Sequence, residues 1–115
     1  MSYMLLIVEP FGQRSQRAVD ERRHAYQRMV DYAGTLEARG VLLATNSLRT
    51  EAARLELREG RTRIVDGPFA EAKEFVGGFF LLDCADREQA LQYASECPAA
   101  EWATIEVREV GPCYE

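Results

Sequence analysis

The chain has 115 residues, 47% of them apolar and 29% charged, a net charge of −5 and a pI near 5.0. This is the length and composition of one ordinary globular domain. The acidic balance argues against general binding to nucleic acid or to anionic membranes, which needs a basic footprint. No apolar run is long enough to span a bilayer. Residues 4–8, closed by Glu9 and Pro10, read as too short for the apolar part of a signal peptide.

The three cysteines, Cys84, Cys97 and Cys113, are odd in number and widely spaced. They suggest neither a disulfide framework nor metal ligands, so a reduced, cytoplasmic setting is expected.

Residues 3–8 (YMLLIV) are apolar on both faces and read as a buried interior strand. Glu9 sits just past its end, in a loop with Pro10 and Gly12. Residues 15–39 read as one long helix, with Val19, Tyr26, Met29, Val30, Ala33 and Leu36 on one face. Asp20, Arg28, Asp31 and Thr35 lie on the other. Gly40 is the natural stop. His24, the only histidine, falls on the wet face and reads as a solvated helix residue.

Residues 41–45 form a second apolar strand, ending in Asn46-Ser47. Residues 53–58 alternate strictly, with Ala53, Leu55 and Leu57 inward, as in a half-buried antiparallel strand. Glu59-Gly60 is a hairpin turn, and residues 61–65 return. Residues 75–84 form the next strand. Phe79 and Leu81 face one way, and Val76, Phe80 and Leu82 the other. Gly77-Gly78 suggests a bulge, a bend or a close backbone approach.

Asp86 and Gln89 have the spacing of a capping box. The helix they open buries Ala90, Leu91, Ala94 and Cys97 and stops before Pro98. Residues 102–110 close the chain as a strand, with Ala103, Ile105 and Val107 inward and Thr104, Glu106 and Arg108 outward.

Without the hairpin the order is β-α-β-β-α-β, the ferredoxin-like pattern of an α+β fold. Two helices would cover one face of an antiparallel sheet. The other face is also apolar, so a second copy of the chain, in a two-fold homodimer, is the expected cover.

The stretch Asp66-Gly67-Pro68-Phe69-Ala70-Glu71-Ala72-Lys73-Glu74 is the candidate site. Pro68 fixes its own φ and restricts Gly67, which makes a pre-set turn led by a carboxylate. Asp66 reads as a general base at the mouth of a cleft, or as a side chain that caps its own turn. Lys73 reads as an anion binder, or as an ion-pair partner of Asp66, Glu71 or Glu74. Asp66 and Lys73 are expected in one pocket, between the return strand and the strand that begins at Phe75. Glu9 and Arg49, both at strand ends, would meet Asp66 across it.

No nucleophile-and-base pair, phosphate loop, dinucleotide fingerprint or metal cluster is visible, and no cofactor is expected. Two functions fit. One is a small enzyme handling a proton on an organic substrate through Asp66. The other is a non-catalytic ligand-binding or regulatory module.

The nine-residue turn, together with Gly77-Gly78-Phe79, Cys97-Pro98-Ala99-Ala100, the opening Tyr3-Met4-Leu5-Leu6-Ile7 and the closing Glu106-Val107-Arg108, resembles the DGPF-domain branch of the YCII-related family. The resemblance spans nearly the whole chain. It implies a ferredoxin-like dimeric α/β barrel of largely unassigned activity. Members often look like companions of genes for alternative sigma factors, which implies a link to transcription control.

Some members of the wider family carry a His–Asp pair. The aspartate corresponds to Asp66, but the histidine's place falls near Met29, on the face opposite His24.

Overall fold

The computed structural model describes residues 1–114. Strand β1 (Ser2–Pro10) is followed by a single helical turn α1 (Gln13–Gln16), the long helix α2 (Val19–Ala38) and β2 (Leu42–Ser47). The hairpin β3 (Ala53–Arg58) and β4 (Arg61–Asp66) comes next. Strand β5 (Glu74–Asp83), helix α3 (Arg87–Glu96), a 3₁₀ turn (Pro98–Glu101) and β6 (Thr104–Glu109) complete the chain.

The main sheet has the order β2-β5-β1-β6, antiparallel throughout. This is the ferredoxin-like topology, with β3 and β4 set apart as a two-stranded ribbon. No helix among the described residues is long and apolar enough to cross a membrane.

One face of the sheet carries the core. Tyr3, Leu5 and Ile7 of β1 and Phe80 and Leu82 of β5 pack against Tyr32 and Leu36 of α2 and Ala90, Tyr93 and Ala94 of α3. Burial pushes the Tyr32 hydroxyl's pKa well above its ordinary value, and it donates a hydrogen bond to the Tyr93 carbonyl. Asp86 caps α3 by accepting from the Gln89 N–H at 2.9 Å, while Gln89 accepts from the Ala85 N–H at 2.7 Å.

Among the described residues the opposite face of the sheet has no layer over it. Met4, Leu6 and Val8 are half-buried there, opposite Leu81, Phe79 and Val76 of β5.

Four local expectations are corrected. The first helix is two helices. Gly12 takes a left-handed φ of 85° and Ala18 is extended, and the turn between them is held down by Arg14, which is bonded to β1 and β5. Arg28 is half-buried rather than fully solvated. It pairs with Glu101 and lies 5.6 Å from the Trp102 ring.

Val76 shares a face with Phe79 and Leu81, not with Phe80 and Leu82. The register against β1 slips at Gly77, so Ile7 pairs with Gly78 and Val8 with Val76. Finally, β3 and β4 are exposed along their whole lengths. Leu55 is 66% exposed, Leu57 61% and Ile64 62%, because the hairpin is a separate ribbon outside the main sheet.

Candidate functional site

The period of β1 does not stop at Val8. Tyr3, Leu5, Ile7 and Glu9 are all buried on the helix side, so Glu9 ends an apolar row and is 5% exposed. A carboxylate taken out of water needs a partner, and α1 supplies it. Arg14 Nη2 donates to Glu9 Oε2 at 2.6 Å and Nε to Oε1 at 3.0 Å, the two-pronged geometry in which guanidinium and carboxylate match best. Arg14 also donates to the Leu48 carbonyl at 2.8 Å and the Gly77 carbonyl at 3.1 Å. Its plane lies 5.0 Å from the Phe75 ring, which stacks on Phe11.

The Gly77 bulge makes the pair possible. A Cβ at that position would stand 1.5 Å from Glu9 Oε2 and 2.6 Å from Arg14 Nη2.

This pair lines a cavity of about 390 Å³ between the sheet and α2. Ile7, Thr45 and Phe80 line it from the sheet, Tyr26, Met29 and Ala33 from α2, and Trp102 from beyond the 3₁₀ turn. Gln13 fixes the Trp102 backbone by donating to its carbonyl at 2.8 Å. Arg17 and Arg22 also line the cavity, and Arg17 lies 5.2 Å from the Trp102 ring. The size suits a small organic molecule.

The DGPF turn is elsewhere. Asp66 lies in a smaller pocket of about 270 Å³ on the hairpin with Arg54, Glu56, Arg63, Phe69 and Glu71. Among the described residues its carboxylate makes no ion pair and no side-chain hydrogen bond, so it does not cap its own turn. Gly67 donates its N–H to the Ala52 carbonyl. Phe69 folds back so that a Cβ on Gly67 would meet its ring at 2.9 Å, and Arg54 stacks on that ring at 3.6 Å. A side chain at this position would have to displace that ring.

The expected pairing of Asp66 with Lys73 is not formed. Lys73 is exposed and is not among the residues lining that pocket; its backbone carbonyl accepts from Phe11. Glu74 begins β5 opposite Pro10, and Arg49 is exposed in the loop after β2. Of the predicted set, only Glu9 lines the larger cavity, and there it meets Arg14 rather than Asp66 or Arg49. His24 is exposed, whereas Met29, where the family's histidine would fall, is in the cavity wall.

Arg14, Arg17, Arg22 and Trp102 were not singled out from the sequence. For Glu9 a signal existed in the alternation of β1, whereas Arg14 reaches it only through the fold of the Gly12 turn.

Fold and cavity together define a small ferredoxin-like α+β protein with a ligand-sized space between its sheet and its long helix. The chain matches the YCII-related domain over residues 1–113 and belongs to that family.

An uncharacterized protein of Rhizobium meliloti is 41% identical over 80 residues, which are 70% of this chain and 61% of that protein. The aligned region thus spans under two-thirds of that relative's length. Among solved structures, 5-chloro-2-hydroxyhydroquinone dehydrochlorinase (TftG) from Burkholderia phenoliruptrix, in complex with 2,5-dihydroxybenzoquinone, superposes with a TM-score of 0.58. It does so at 12% identity, covering 96% of this chain and 94% of the other. That likeness shows the shared fold.

Proposed function

We propose that this protein is a small enzyme of the DGPF branch that binds an organic molecule in the cavity beneath α2 and moves a proton on it with Glu9. The observation that carries this reading is a carboxylate 5% exposed in the wall of a ligand-sized cavity of mixed polar and apolar lining. Buried ionisable groups in such cavities are the usual carriers of acid–base chemistry.

Arg14 uses one acceptor site on each Glu9 oxygen, and a carboxylate has about four such sites in all. Glu9 thus keeps lone pairs free to accept a hydrogen bond from a substrate O–H or N–H. Asp66, exposed to solvent in the smaller pocket, is the less well-placed carboxylate. The fold shared with a dehydrochlorinase supports an enzymatic reading, and the neighbour's substrate is not transferred with it.

The second reading, a non-catalytic binding or regulatory module, draws support from the Arg14 lock itself. A carboxylate held by two prongs also serves as a rigid wall. The two readings part in Glu9→Gln. For an enzyme, turnover of a substrate found by metabolite screening is lost in Glu9→Gln while binding survives, and Asp66→Asn retains turnover. Turnover unchanged in Glu9→Gln and lost in Asp66→Asn would move the chemistry to the hairpin.

The working form is proposed to be a homodimer in the cytoplasm. The supports are the uncovered apolar sheet face and three cysteines that are all free.

A further inference from the structure

The charge of the cavity runs against the charge of the chain. The protein as a whole carries −5, yet the cavity is lined by three guanidinium groups, Arg14, Arg17 and Arg22, and one carboxylate, Glu9. Arg14 and Glu9 satisfy one another, and Arg14 is further occupied by two backbone carbonyls.

Arg17 and Arg22 are different. Among the described residues neither forms a salt bridge. Asp20 and Glu21 adjoin Arg22 in sequence, but residues one and two apart on a helix do not face each other. Arg17 is held over Trp102, so its position is set before any ligand arrives. The remaining wall carries no charge: it is mostly apolar or aromatic, with Met29, Phe80, Tyr26 and Trp102, and its polar members Thr45, Asn46 and Ser47 are neutral.

We infer that the cavity takes a small, mainly apolar organic anion, a ring-bearing carboxylate or phenolate, with its charged group against Arg17 and Arg22 and its ring against Trp102 and Met29. The inference rests on the cavity being the binding site and adds the chemical class of what binds there. A planar, delocalised anion suits two arginines because guanidinium pairs with carboxylate-like oxygens in a fork and stacks on flat π systems. Low-dielectric walls around such a pair strengthen its attraction for an anion. The geometry selects against cations and gives no reward for a neutral isostere.

Trp102 is the only tryptophan and lines the cavity, so its fluorescence reports binding directly. Benzoate and its neutral isostere benzamide serve as probes, titrated into the full chain, its Arg17→Gln/Arg22→Gln variant and an Arg23→Gln control. The wild type and the control are expected to bind benzoate about tenfold more tightly than benzamide, the scale of one added charge-assisted contact. In the double variant the preference should collapse while benzamide binding persists.

If the double variant does not fold, the wild-type preference is followed against ionic strength, where screening should shrink it. Equal binding of the two probes, or a preference that survives in the double variant or is insensitive to salt, overturns the anion inference and leaves the cavity reading intact. Failure of both probes to perturb Trp102 fluorescence or the Met29 methyl resonance removes the cavity reading, and this inference with it.

Discussion

Glu9 is held in place by a glycine nearly seventy positions away. The β5 bulge leaves Gly77 facing the carboxylate with no room for a side chain, so Gly77→Ala must push Glu9 and Arg14 apart or shift the strand. Overpacking of that kind costs about 1–3 kcal/mol. The expected result is a lower urea midpoint with an unchanged slope, together with weaker binding of any cavity ligand. Full stability in Gly77→Ala would mean that the pair tolerates displacement.

His24 provides the contrast. It is exposed on α2, and His24→Ala should change stability by less than about 0.5 kcal/mol and leave binding untouched. A larger loss in thermal unfolding would contradict its surface position. Both residues show what a sequence discloses. The phase of His24 follows from helical spacing alone. Glu9 was visible as a strand-end acid, but its burial depends on two partners, Arg14 and Gly77, whose approach is set by a turn and a bulge rather than by any period.

The elements were more legible than their boundaries. Alternation, the Asp86–Gln89 cap and the Glu59-Gly60 turn, where both residues have positive φ, each act within a few residues, so local sequence specifies them. The break between α1 and α2 does not act locally. It follows from Arg14 reaching across to other strands. The burial of Leu55 and Leu57 failed for the same reason: the β3 pattern tells which residues share a face and not whether anything lies against that face.

The far end of α2 is tied to α3 through Arg39 and Glu96, 3.0 Å apart. Hydrogen bonding from Arg39 holds the Glu96 carboxyl below its ordinary 4.5. The unfolded chain therefore binds this proton first as pH falls. The contribution is complete above about pH 5 and is lost as pH drops through the folded-state pKa. Both side chains are more than a third exposed, so the effect is small and screened by salt. Arg39→Gln should lower the urea midpoint near neutrality by a constant amount. That difference should shrink as acidification takes the pH below the ordinary carboxylate range. A difference that grows towards acid would assign the pair the wrong sign.

At the scale of the molecule the shape is broad and thin. The chain extends 47 × 43 × 17 Å with a radius of gyration of 16.1 Å, against about 13 Å for a compact chain of this length. The thin dimension is one sheet and one layer of helices, and the excess breadth includes the separate hairpin. Two apolar surfaces are left over. One is the open sheet face of Met4, Leu6, Val8, Phe79 and Leu81. The other is the ribbon stripe of Ala53, Leu55, Leu57 and Ile64. Patches of this kind seldom face water on a monomer. A two-fold axis gives each surface an identical partner without open-ended growth.

The protein should therefore run in light scattering at twice the 13.0 kDa of one chain at micromolar concentration. Leu6→Glu, which places a charge at the centre of the open face, should shift it to monomer. Leu55→Glu separates the two surfaces. If the hairpin joins the same interface, this change also weakens the dimer, and if the sheet face alone makes it, the dimer persists. A wild-type chain that scatters as a single protomer would leave the open face without its expected cover and end the dimer proposal.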